Sequence, residues 1–99
     1  MNSSTVIGQI AIAANVRVDN KNLTVELTDG QVISVPMAWY PRLSHGTRDQ
    51  RNNWRLIGAG RGIHWPKLDE DISVEGLLAG KASAESQTSL KKWLDGRSG

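Results

Sequence analysis

Ninety-nine residues are enough for one hydrophobic core and too few for two, so the chain reads as a single domain. It has no cysteine, which excludes a disulfide framework, thiolate zinc sites and cysteine nucleophiles together. The formal net charge of +2 is too small to imply a polyanion partner by itself, and with no phenylalanine the large core pieces must come from Trp39, Trp54, Trp65, Trp93 and the aliphatics.

Residues before Thr5 are small and polar and read as a loose tail. From Thr5 to Ala14 the apolar positions fit a helix through Val6, Ile7, Ile10, Ala13 and Ala14 as well as a strand through Ile10 and Ile12, and both readings stay open. The apolar run Val6 to Ala14 is too short to span a bilayer and follows no basic leader, so a cytoplasmic protein with no membrane partner is expected. Val16 and Val18 flank Arg17 at period two, and the polar cluster Asp19 to Asn22 then supplies a turn.

Leu23, Val25 and Leu27 alternate with Thr24, Glu26 and Thr28 up to Asp29-Gly30, the clearest hairpin in the chain. A two-residue turn would set Glu26 against Ile33. A three-residue loop with Gly30 left-handed instead pairs Val25 with Ile33, Leu23 with Val35, Glu26 with Val32 and Thr24 with Ser34, satisfying both faces. Pro36 lacks an amide to donate and ends the third strand.

Pro41 suits the first position of a helical turn and Gly46 its end. Thr47 and Gln50 form a capping box for a helix of about two turns, with Arg48, Arg51 and Arg55 on one side if it persists that far. That arginine stripe is either a solvated face or a contact for phosphate or a partner. "RLIG" and "GIHWP" read as a second hairpin around the glycines at 58, 60 and 62, and Asp69, Glu70 and Asp71 precede Ser73, the N-cap of a short helix stopped by Gly80. A linker of small residues from Ser83 leads into a last helix with an apolar stripe of Leu90, Trp93 and Leu94, ended by Gly96. The predicted class is α+β: a small antiparallel sheet of about five strands, a three-stranded meander plus a second hairpin, with short helices and a C-terminal amphipathic helix. Residues 1–14 form a tail or extra element, 15–80 the core domain, and 81–99 a linker and a helix docking on it.

The segments "LTVELTDGQVISVPMAWYPRL", "RNNWRLIGAGRGIHWPKLDEDISVEGLLAG" and "ESQTSLKKWL" resemble the domain-of-unknown-function 2442 family, over nearly everything after about Ala14. The resemblance implies a small α+β domain with an antiparallel sheet, found in prokaryotes and their mobile elements and sometimes fused to a helix-turn-helix segment. It also implies frequent gene pairing with a second small protein of a family suspected to be toxins. This chain departs from the fused members by ending soon after Trp93, so any DNA contact is expected from the domain itself.

Candidate chemistry is sparse. The glycines of "IGAGRGIHW" are followed by Ile63-His64-Trp65-Pro66 rather than by a helix, so they read as a tight strand turn and not as a phosphate cradle. His64 with Asp69 and Asp71 could hold a divalent ion or orient an imidazole base, but the spacing fits no tidy ligand motif, and a hydrogen-bonded structural histidine beside Trp65 is the plainer reading. Six basic residues from Arg42 to Lys67 accompany only Asp49, whereas Leu68 to Glu75 carries four acids and no base. This segregation suits a charged partner, self-association, or internal arginine–carboxylate pairing. Trp39 and Tyr40, placed at a corner by Pro41, are the surface aromatics that could stack on a partner or on bases.

The expectation is a non-catalytic interaction module with no cofactor and no metal, the antitoxin-like or regulatory member of a two-gene pair. Its candidate contact residues are Trp39, Tyr40, Arg42, Arg48, Arg51, Arg55, His64, Asp69, Glu70 and Asp71, and its partner is a protein encoded by a neighbouring gene. Nucleic acid bound through the arginine face is the second reading. A small metal-dependent or hydrolytic enzyme built on His64 and the acids ranks last, and a homodimer stays open.

Overall fold

The computed structural model describes residues 12–98; the helix-or-strand question for the stretch from Thr5 to Ala11 lies outside them. Two three-stranded antiparallel meanders form the β-structure, each ordered as its strands occur along the chain. The first comprises β1 (Ala13–Val18), β2 (Asn22–Leu27) and β3 (Val32–Pro36). The Asp19 carboxylate accepts the amides of Lys21 and Asn22, both at 2.7 Å, and so closes the β1–β2 turn. The β2–β3 hairpin adopts the register expected from its alternation, with Leu23 opposite Val35, Thr24 opposite Ser34, Val25 opposite Ile33 and Glu26 opposite Val32. Its loop is three residues long, Leu27 N–H donating to the Gln31 carbonyl at 2.8 Å, and Gly30 sits at φ 93 where a side chain would be strained.

After Pro36 a 3-10 turn over Met37–Trp39 leads into α1 (Pro41–Ser44), with proline at its first position. Helix α2 (Arg48–Asn52) carries the expected capping box, Thr47 Oγ1 accepting from Gln50 N–H while Gln50 Oε1 accepts from Thr47 N–H. It is one turn long rather than two: Asn53 leaves helical geometry at ψ 76, and the chain extends from Arg55.

The second meander comprises β4 (Arg55–Ile57), β5 (Gly62–Trp65) and β6 (Glu70–Ser73). The described residues thus hold six strands in two sheets, where about five were expected. The unforeseen strand is β6, because three successive acids resemble a solvated loop. Only Ile72 shows the buried side, paired with Ile63, while Asp71 faces His64 and Glu70 lies opposite Trp65. Helix α3 (Val74–Leu78) follows directly, its Ser73 cap accepting the Gly76 amide at 2.9 Å. Helix α4 (Gln87–Ser98) runs through Gly96, which does not end it.

Both meanders feed one core. Leu23 and Val25 of the first sheet, Ile63 and Trp65 of the second, and Leu43, Leu68 and Val74 from the connections are all essentially inaccessible to solvent. Trp65 also donates from Nε1 to the Arg51 carbonyl at 2.9 Å, so its polar edge is satisfied where the ring is buried. Trp39, Trp54 and Trp93 pack on the rim of this core. The β4–β5 connection comes close to the start of β1 where Gly60, at φ 90, faces Ile12: an added Cβ would run into the Ile12 side chain.

Candidate functional site

The expected contact residues separate into three groups. Arg42, on α1, is turned into the fold with 17% of its side chain exposed. Its Nε and Nη2 donate to the two oxygens of Glu85, both at 2.7 Å, and Nη1 donates to the Asp69 carbonyl at 2.8 Å and its carboxylate at 3.2 Å. The guanidinium lies 5.0 Å from the centre of the Trp93 ring, which Arg97 also approaches at 4.4 Å. Arg42 and Ser89 hold the Glu85 carboxyl below its usual range, against its desolvation. This arginine is a clasp between the β5–β6 turn and the segment leading to α4.

Arg51 is likewise spent inside the molecule, donating from Nε to Leu43 O at 2.8 Å, from Nη2 to Ser44 O at 2.7 Å and from Nη1 to Asn20 Oδ1 at 3.3 Å. Arg48 is exposed on α2 and Arg55 belongs to β4. The three arginines therefore share no helix face, since the helix does not persist to Arg55. Tyr40 is also not at the surface: its residual exposure is 4%, and its hydroxyl donates to the Lys81 carbonyl at 3.0 Å. Pro41 opens a helical turn there, but the segment from Lys81 to Ser83 runs along Tyr40 and Trp39. Trp39 is half-buried, its carbonyl accepting from Ser83 N–H.

The second group is a row across the outer face of the second sheet. Arg55, His64 and Asp71 occupy matching positions on β4, β5 and β6, and His64 Nδ1 hydrogen-bonds Asp71 Oδ1. A carboxylate on one ring nitrogen fixes the ring and turns the other nitrogen outward. Asp69 does not join them, being engaged by Arg42. Among the described residues no three His, Cys, Asp or Glu side chains stand together as metal ligands.

The third group lines a cleft of about 250 Å³ between β6 and the extended residues 81–84, walled by Tyr40, Glu70, Asp71, Ser73, Gly76 and Lys81 among others. Glu70 accepts the Asp71 amide on Oε1 at 3.2 Å, while Oε2 is buried without a protein partner. Burial pushes its carboxyl above the usual value; the Asp71 amide and Arg42 oppose this, and the Glu85 and Asp71 charges add to it. Burial, and then the Glu70 charge, raise the Tyr40 phenol as well.

The ladder exposes backbone here too. Val74 N–H donates to the Arg61 carbonyl, and Asp71 N–H is taken by a side chain. In an antiparallel ladder hydrogen-bonded and non-bonded pairs alternate, so Glu70 and Ile72 exchange bonds with β5 while Asp71 and Ser73 turn their backbone groups toward the cleft. Lys81, Ser83 and Glu85 were not anticipated as site residues. The available signal was Glu85 itself, a lone acid within the uncharged stretch from Ala82 to Ser89.

No helix among the described residues is long and apolar enough to cross a membrane. No curated protein matches the chain. A crystal structure of a protein of unknown function from Rhodospirillum rubrum is similar at 30% identity and a TM-score of 0.69, covering 80% of this chain and 98% of that one. The solution structure of an uncharacterised protein from Chromobacterium violaceum shares the fold at 19% identity and a TM-score of 0.62, over 82% of this chain and 74% of that one. The profile described as protein of unknown function, DUF2442, matches residues 13–83, which span both meanders, the clasp arginine and all of the cleft lining except Ala84, and the chain belongs to that family.

Proposed function

We propose that the chain is a non-catalytic protein-interaction module that receives its partner along the free edge of β6. The observation that carries this reading is the cleft itself. Its wall is a strand edge with backbone groups of Asp71 and Ser73 directed into it, and such an edge is a template for another chain's backbone. Arg42 and Arg51 are consumed by the fold, whereas at the β6 edge a buried carboxylate oxygen, Glu70 Oε2, has no protein partner.

The finer assignment, the antitoxin-like or regulatory member of a two-gene pair, draws on the gene pairing that the family resemblance implies. Co-expression with the product of the neighbouring gene tests it: a co-purifying complex and relief of growth inhibition are expected. Absence of both would end the antitoxin assignment.

A further inference from the structure

We propose that the β6 cleft recognises an extended segment of a protein partner bearing a lysine or arginine side chain, which displaces the Glu70 carboxylate from the Asp71 amide and pairs with it. This rests on the reading of the chain as an interaction module and names the chemistry of its partner.

Glu70 occupies the position a partner strand would take. In a strand added beside β6, a backbone carbonyl would accept from Asp71 N–H; in the free protein that acceptor is Glu70 Oε1, at 3.2 Å. The carboxylate thus stands in for a carbonyl oxygen of the missing strand. Its second oxygen, Oε2, meets no donor, so the stand-in satisfies the edge at the expense of its own hydrogen bonding. An incoming carbonyl would release Glu70, and a cationic side chain on the same segment would supply the donors that both oxygens then need.

Charge favours a cation over an anion. Glu70 and Asp71 line the cleft against one base, Lys81, which is exposed and makes no ion pair with either acid among the described residues. The Asp71 side chain stands on the outer face beside His64, 67% exposed, and adds negative charge at the rim of the cleft rather than on its floor, which is Glu70 alone. The opposite wall, Ala82 to Ala84, presents small side chains that leave room for a backbone, and a cleft of about 250 Å³ takes a few residues rather than a domain. Strand addition supplies affinity through main-chain bonds, and the acidic floor supplies the choice of side chain.

Fluorescence anisotropy tests this on the full chain, with a labelled hexapeptide alternating valine with lysine and arginine as the probe. Its glutamate counterpart and a backbone N-methylated form serve as comparisons. The basic peptide should bind saturably, about tenfold or more tighter than either comparison, and shift the amide resonances of Asp71 and Ser73. Glu70→Gln should weaken it about tenfold by removing the charge-assisted pair. Lys81→Ala should tighten it about threefold, an effect that loss of fold would not produce. Ala84→Trp, which fills the cleft from the far wall, should abolish it. Equal binding of the acidic or N-methylated peptide, no saturable binding, or indifference to Glu70→Gln would overturn the inference. If the neighbouring gene product co-purifies equally well with the Glu70→Gln protein, the cleft assignment falls while the module stands. If the peptide binds as stated but no complex forms, the antitoxin assignment falls and the cleft stands.

Discussion

At the scale of single residues, the informative feature is a glutamate placed where ionisation is disfavoured. Glu70 lies opposite the buried Trp65, and burial raises its carboxyl above the ordinary 4.5. The folded protein therefore holds that proton more tightly than the unfolded chain, so the stability contributed by Glu70 is fully present below the ordinary range and is lost as pH rises through the raised value. Glu85, Asp19 and Asp29 have lowered carboxyls and act in the opposite sense, losing their contribution as pH falls. The difference between Glu70→Gln and the parent isolates Glu70: urea midpoints should diverge as pH rises past the ordinary carboxylate range, with the variant becoming the more stable. A constant difference across the range would contradict the burial. None of this could be read from the chain, where Glu70 is the middle member of an acidic triplet and all three acids look equally solvated. Asp69 is turned outward by a left-handed φ of 51, and strand alternation then sends Glu70 and Asp71 to opposite faces.

At the scale of elements, local patterns were legible where local physics decides them. Alternation through Leu23, Val25 and Leu27 against Ile33 and Val35 sets a register because one slip would move every apolar side chain to water. The Thr47–Gln50 box and the Ser73 cap likewise depend on neighbours three residues apart. Features set by distant contacts were hidden: the early end of α2, the burial of Tyr40 and the clasp from Arg42 to Glu85, 43 residues apart. Arg42→Met should lower stability by about 1–3 kcal/mol, because it leaves the Glu85 carboxylate, with only 8% of its side chain exposed, to Ser89 alone. Hydrogen exchange should quicken across residues 87–98 more than across β2. Gly96 offers the opposite change. It lies inside α4 with nothing within 4 Å of an added Cβ, so Gly96→Ala should raise stability by about 0.5–1 kcal/mol in thermal or urea unfolding.

At the scale of the molecule, two sheets share one core, and neither has an apolar face of its own to spare. Trp65 joins them, its ring buried in the common cluster and its indole N–H bonded to Arg51. Trp65→Ala should cost about 3–5 kcal/mol in urea unfolding, and amides of β2 and β5 should lose protection together. Separate transitions for the two meanders would show that the core is divided. The sequential order of strands within each meander also has a bearing on synthesis. The first meander is complete in sequence at Pro36, while Trp65 and Leu68, which help cover its apolar face, come later in the chain. At about 5–20 residues per second a ribosome needs roughly 1.5–6 s to cross that interval. During those seconds Leu23, Val25 and Val35 have only the cover that Met37, Tyr40 and Leu43 can give, so the nascent chain passes through a stage in which its first sheet is a partly open adhesive surface, and any chaperone or early partner would meet it there.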